Sequence, residues 1–466
     1  RIKYYSCGKK MNKTLDKLID KSLNIILGKD KTKFYIILFF ITGFLLRLIA
    51  AMNLSVFPDD VNHAYVSIGI FNSEKLGNWG QSTILLYYIQ GLFYKFGLTV
   101  FWSRFAEVLF GSFLIIITFL FVKRVFKSEK AAIISSFLIT ISPILIKSTL
   151  SEMDIAVCFF TLLGAYFLFG FFESRLKKEL LLSALFIGIG IMVKLYVLFF
   201  AVSFIIFLVY KETRNKSSKK SIIINILIFG IIISILVIPT IAHNYLLYKD
   251  KGFMDLIFTN TFKLGVERAS QYYSWGAGWL AYSDYKGFFL GNQRNYDPNP
   301  IPGALLLLWN ILKGDIILFI IGLFGLLFIF NKNKDYFWFF IITFMPAFIY
   351  LGAQIPMAKH FIWGFILLCP TAGIFLENFH ERIKKIRLRY ILLLILIFNL
   401  LYLSVPISIG SSSAHFYGEA GFNKVIKLKE TIPKEALVIT DSRIYRGNIH
   451  FGFAGTNYIE TMQFID

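Results

Sequence analysis

Pro58-Asp59-Asp60-Val61-Asn62-His63-Ala64-Tyr65 puts two adjacent carboxylates directly after a proline, at the end of the first long apolar run. Acids at a membrane boundary are costly to desolvate, and two neighbours repel each other. The pair is therefore either a reactive site or a solvated helix start, where Asp is a favoured cap. Ser151-Glu152-Met153-Asp154, after the third apolar run, poses the same choice. Two such sites on one membrane face favour the reactive reading. A complementary set of cations interrupts the apolar runs: Arg47, Arg104, Lys194 and the Lys359-His360 pair. Each either snorkels to an interface or serves a site. Arg104 and Lys359 are expected at outer span ends, where a cation can hold a phosphate-bearing lipid head. Asp59 and His63 stand four residues apart. With Asp154 nearby they would make a weak candidate site for a divalent ion, and no metal is expected to be required.

These residues must be held by membrane helices. Of 466 residues, 56% are hydrophobic and 17% charged, against about 25% charge in a soluble chain. A soluble globular enzyme, a disordered chain and a nucleic-acid-binding domain are all excluded. The expected class is an all-α polytopic membrane protein. The net charge of +21 follows from topology, because basic residues stay on the cytoplasmic side. Three cysteines are too few for a disulfide framework, and Cys158 and Cys369 read as small core hydrophobes.

The head, 1–33, carries ten Lys/Arg against three acids and is placed in the cytoplasm, so the first span, 34–56, runs outward. No cleavable signal peptide is expected, since this first run is long enough to span. Met11 is a candidate native start, and the end at Asp466 a candidate premature one. Later basic clusters at 123–127, 175–178, 211–220, 332–334 and 382–389 are placed inside. Parity then allows one span between residue 57 and Lys123. We assign it to 102–122 and read 84–98, interrupted by Gln90, Gly91 and Lys95, as an interfacial or re-entrant helix. The 181–210 run has basic clusters on both sides and must cross twice, breaking near Lys194. Further spans are placed at 131–147, 155–172, 221–242, 304–330, 337–352, 361–377 and 391–409, for about eleven in all. The membrane domain is thus 34–409, with outer loops 57–83, 148–154 and 243–303. A small outer α/β appendage, 410–466, contains an amphipathic helix at 418–430 and a strand at Ala436–Thr440. The aromatic stretch Tyr272–Tyr282 reads as an interfacial anchor.

The order of these marks resembles the GT-C glycosyltransferases, in particular the branch of the protein O-mannosyltransferases (family 39-like) and the lipid A aminoarabinose transferase. The marks are Pro58-Asp59-Asp60 before a tyrosine-bearing helix, the juxtamembrane helix from Tyr87 to Gly97, and Arg104 opening a span. They continue with Asp154 after Ser142-Pro143, Lys194 after Gly188 and Gly190, and Lys359-His360-Phe361 leading to Cys369-Pro370. They extend over about 34–380. The sequence departs from the pattern at Asp60, where Glu is usual, and at Lys359-His360, where Arg-Tyr is common; Lys lacks the forked geometry of Arg.

The resemblance implies a GT-C fold and a transfer reaction. A sugar moves with inversion from a polyprenyl-phosphate donor to a hydroxyl on a lipid, glycan or protein acceptor, at the outer face of the plasma membrane. It makes Asp59 the general base, supported by Asp60 and Asp154. Arg104, Lys194, Lys359 and His360 become the cations that stabilise the departing polyprenyl phosphate. It requires no cofactor. A polyprenyl-linked glycan ligase or polymerase is the alternative, though the 243–303 loop holds only Arg268 and Arg294 where such an enzyme should be arginine-rich. A solute or lipid transporter fits less well, because the acids gather at one face.

Overall fold

The structure is a computed structural model. It describes residues 32–54, 63, 67, 84–96, 100–149, 153–255, 258–259, 264–268, 287–290, 301–354, 358–382, 398–408, 433, 438–440 and 458–460. The chain runs through α1 (Thr32–Asn53), α2 (Ile84–Tyr94), α3 (Val100–Phe126), α4 (Glu129–Ile141), α5 (Pro143–Lys147) and α6 (Asp154–Ser174). It continues through α7 (Lys177–Val193), α8 (Val197–Arg214), α9 (Lys219–Lys251), α10 (Gly287–Leu290), α11 (Gly303–Gly314), α12 (Ile316–Lys332) and α13 (Lys334–Gln354). A 3-10 turn (Ala358–Phe361) leads into α14 (Ile362–Arg382), and a π-helical turn (Asn399–Ser404) into α15 (Val405–Ser408). In the C-terminal segment, β1 (Val438–Thr440) pairs in parallel with β2 (Tyr458–Glu460), Ile439 opposite Ile459. The expected helix at 418–430 lies outside the described residues.

Among the described residues, six helices are long and apolar enough to cross a membrane, or seven if the bent pair α11–α12 counts as one span. This is a multi-pass membrane protein. The other four of the expected eleven crossings are α4–α5, α7, α8 and the run 391–409, which lies mostly outside the described residues. Two expected spans are broken. Pro143 opens α5, so 131–147 is not one straight helix; a proline is favoured at the first position of a helix, where its missing N–H costs nothing. The run 304–330 bends by 111° between α11 and α12. Asp315 stands at the bend, and its Oδ1 accepts the Leu318 N–H at 3.0 Å, capping α12. In contrast, α9 does not stop at 242 but continues to Lys251, through Pro239. Gly252, at φ 76°, ends it in the left-handed conformation that glycine adopts without strain. The outer loop expected from 243 therefore begins as helix.

Close approach of small residues binds the bundle, as it must where lipid supplies no hydrophobic drive between helices. A Cβ on Gly325 would come within 2.1 Å of the Thr371 carbonyl oxygen, so α12 and α14 touch backbone to backbone. The Thr371 hydroxyl donates to Gly322 O at 2.7 Å across the same seam. Phenylalanines fill the centre: Phe339 of α13 meets Phe169 of α6 and Phe207 of α8 edge-on, each pair of centroids 5.2 Å apart.

The basic clusters gather at one end of this bundle. Arg124 reaches Glu173 and Glu179, Arg175 pairs with Glu212, and both Lys211 and Arg214 pair with Asp335. Lys332 donates to Asn378. The C-terminal ends of α3, α6 and α8 are thereby linked to the N-terminal ends of α7 and α13, and the C-terminal end of α12 to that of α14. Because α6 runs away from Asp154 toward Ser174, Asp154 stands at the opposite end.

Candidate functional site

The site begins where α6 begins. Asp154 is the first residue of that helix, and the preceding Met153 takes φ 68° without providing a side-chain cap. The sharp turn carries Asp154 into the bundle, where its side chain is 1% exposed. Burying a lone carboxylate costs several kcal/mol unless it is paired and hydrogen-bonded. Three groups provide this compensation. The Lys194 ammonium lies 2.7 Å from Oδ1, the Tyr196 hydroxyl donates to Oδ1 at 3.3 Å, and His360 Nδ1 lies 3.3 Å from Oδ2.

Each partner is delivered by a break in regular structure. Lys194 and Tyr196 occupy the interruption between α7 and α8, where the Lys194 backbone is extended (φ −154°, ψ 124°). His360 lies in the 3-10 turn that enters α14. A broken helix lets a polar side chain point into the bundle end while the flanking turns stay apolar. His360 Nδ1 is also 3.5 Å from Lys194 Nζ. One ring nitrogen cannot both donate to Asp154 and accept from Lys194. The contact to the carboxylate is shorter, and a carboxylate oxygen can only accept, so the proton belongs on Nδ1. The result is an acid bracketed by an ammonium and an imidazole, with Lys194 and His360 each partly open (18% and 16%).

The remaining expected residues divide. Asp59 and Asp60 lie outside the described residues, and of Lys359 only the backbone, within the 3-10 turn, is described. Arg104 stands near the start of α3, at the bundle end opposite the basic clusters. It is fully buried, and its Nη1 donates to Ala51 O at 3.1 Å and Leu54 O at 2.7 Å. The last carbonyls of a helix lack intrahelical partners, and Arg104 supplies them at the end of α1, just before the segment that holds Asp59. His63 Nδ1 lies 3.1 Å from the Tyr87 hydroxyl. Ser67 meets Gln90 at 3.0 Å, so residues 63 and 67 are fastened to α2. Among the described residues no group of three His, Cys, Asp or Glu is placed to hold a metal ion.

Three buried polar residues went unrecognised in the sequence. Tyr196 gave no signal. Glu107 lies one turn after Arg104 inside an apolar helix, and an intramembrane acid is by itself a signal. Its Oε2 accepts the Ala156 N–H at 3.1 Å. Asp315, the third, also accepts a 2.6 Å hydrogen bond from Ser142, joining the α4–α5 break to the α11–α12 break.

This bundle of broken and continuous spans has the GT-C fold, on the structural likenesses that follow. Residues 81–243, about a third of the chain, match the family model described as dolichyl-phosphate-mannose-protein mannosyltransferase. No curated protein sequence matches the chain. Among solved structures, ArnT from Cupriavidus metallidurans bound to undecaprenyl phosphate aligns with a TM-score of 0.65 at 12% identity, over 91% of this chain and 85% of that one. The archaeal oligosaccharyltransferase AglB from Archaeoglobus fulgidus, in complex with an inhibitory peptide and a dolichol-phosphate, aligns with a TM-score of 0.58 at 13% identity, over 92% of this chain. This chain spans 65% of the length of that AglB. At such identities the likeness is one of fold.

Proposed function

We propose that this protein is a membrane glycosyltransferase that moves a sugar from a polyprenyl-phosphate donor to a hydroxyl acceptor at the extracytoplasmic face. The observation that carries the reading is the buried Asp154–Lys194–His360 cluster, at the bundle end opposite the basic helix termini. Basic termini belong in the cytoplasm, so the cluster faces outward, where a lipid-borne donor has its phosphate. The family match and the undecaprenyl-phosphate-bound and dolichol-phosphate-bound neighbours support the donor class.

In this reading the acceptor hydroxyl oxygen attacks the anomeric carbon as the carbon–oxygen bond to phosphate breaks, with inversion. Asp59 takes the hydroxyl proton. The leaving group is a phosphate anion that needs no proton. An ammonium has three donors, so Lys194 can keep Asp154 and still receive a phosphate oxygen, with His360 beside it. Asp154 holds the Lys194 ammonium and the His360 imidazole in place before the donor arrives, which is preorganisation of the kind that stabilises developing charge. Lys359, two residues from the 3-10 turn's end, is a further candidate phosphate ligand. We assign Arg104 to holding the end of α1 and Asp60 to the segment that positions Asp59. The reaction uses no cofactor in this scheme.

The test uses the purified protein in nanodiscs with radiolabelled polyprenyl-phosphate hexoses and with lipid, glycan and peptide hydroxyl acceptors. The wild-type protein is expected to bind the donor and transfer its sugar. Asp59→Asn should still bind donor and lose transfer by about 10²–10⁴-fold. A wild-type chain that binds no polyprenyl phosphate would sink the reading.

A further inference from the structure

Glu107 is a fully buried acid on α3, assigned no part in the scheme above. Its carboxylate Oε2 accepts the backbone N–H of Ala156 at 3.1 Å, across the α3–α6 contact. Ala156 is the third residue of α6, and this is the N–H that a Ser, Thr, Asp or Asn at the N-cap would normally satisfy from its own side chain. The N-cap of α6 is Met153, which has no such oxygen and makes no cap hydrogen bond. Met153 also holds φ 68°, a left-handed conformation uncommon for a residue with a Cβ. The helix thus starts with an uncapped terminus and a strained turn, and Asp154 is the residue immediately after that turn. A neighbouring helix supplies the missing acceptor. Its carboxyl group lies at the positive end of the α6 dipole. Close packing fixes the distance: a Cβ on Gly111, one turn after Glu107, would lie 3.3 Å from Ile155.

We infer that Glu107 is a positioning residue, a cap supplied in trans, that holds the first turn of α6 and thereby aims Asp154 at Lys194 and His360. Its consequence for turnover rests on the transferase reading, whereas the cap itself does not. The test is hydrogen exchange followed by mass spectrometry on the full-length protein in nanodiscs, comparing wild type, Glu107→Ala and Glu107→Gln. Glutamine keeps an acceptor oxygen and cannot ionise. Peptides covering 153–158 are expected to exchange roughly ten-fold faster in Glu107→Ala, the usual size of a lost cap, and near the wild-type rate in Glu107→Gln, with α12 and α14 unchanged in both. Sugar transfer should fall with the same pattern, restored by glutamine. Wild-type exchange at 153–158 in the folded alanine variant would overturn the inference. So would lost protection in Glu107→Gln, which decides the matter if the alanine variant does not fold. An inactive wild-type protein with the expected exchange pattern would count against the transferase reading and leave the cap standing.

Discussion

The Asp154 carboxylate and the Lys194 ammonium meet at 2.7 Å, although 40 residues separate them in the chain. Neither lies on a regular turn of a spanning helix: one starts α6, the other interrupts the α7–α8 hairpin. The bundle end is therefore built from helix ends and breaks, and the charges it holds depend on one another.

That dependence has a measurable size. In Lys194→Met the buried Asp154 carboxylate keeps only His360 and Tyr196. Removing one partner of a buried ion pair costs about 3–5 kcal/mol. Thermal unfolding of the purified protein should show that loss. Lys194→Met combined with Asp154→Leu should regain most of it, while donor binding stays lost in both. Stability unchanged in the single variant would show that the pair is solvated.

Arg104→Leu strips the donor from the carbonyls of Ala51 and Leu54, each of which then lies buried with one hydrogen bond fewer. The expected cost is about 1–3 kcal/mol for each unsatisfied group. Since Asp59 follows on the segment leaving α1, turnover should fall further than donor affinity. Donor binding lost in proportion to turnover would instead make Arg104 a phosphate ligand.

Arg47 presents the opposite case. It is fully buried within the α1 span, donating to Gly43 O at 3.1 Å and Ile139 O at 3.0 Å, and its Nε finds no hydrogen-bond partner among the described residues. A buried charge gives little net stability against an apolar side chain of similar size. Arg47→Met should therefore leave the melting temperature unchanged or raise it. A loss greater than about 3 kcal/mol would mean that the guanidinium holds the α1–α4 contact.

Gly325 tests the backbone seam. A methyl group there meets the Thr371 carbonyl at 2.1 Å, and a carbonyl cannot swing aside as a side chain would. Gly325→Ala should cost about 1–3 kcal/mol through forced separation of α12 and α14. Gly230, with nothing within 4 Å of its missing Cβ, serves as the control: Gly230→Ala should be neutral or slightly stabilising, since alanine favours helix.

Much of this protein was legible before any coordinates. Apolar run length decided that the chain is a membrane bundle, because backbone polar groups in lipid must be satisfied within helices. Basic clusters sorted the helix ends, and the ion pairs of Arg124, Arg175, Lys211 and Arg214 link those ends as the parity argument required. Asp154, Lys194 and His360 stood out one by one as charges that an apolar run does not need. What sequence spacing could not supply was their partnership. Asp154 and His360 are 206 residues apart, and no local period connects such a pair. Nor could it separate Arg104, whose donors close the end of α1, from cations that face an opening; both are lone charges in apolar runs. The bend at Asp315 and the cap from Glu107 were hidden for the same reason. Chain-local patterns encode which segments leave water. Which breaks face one another is settled only when the helices pack, since that choice depends on glycine seams and aromatic contacts between segments far apart in the chain.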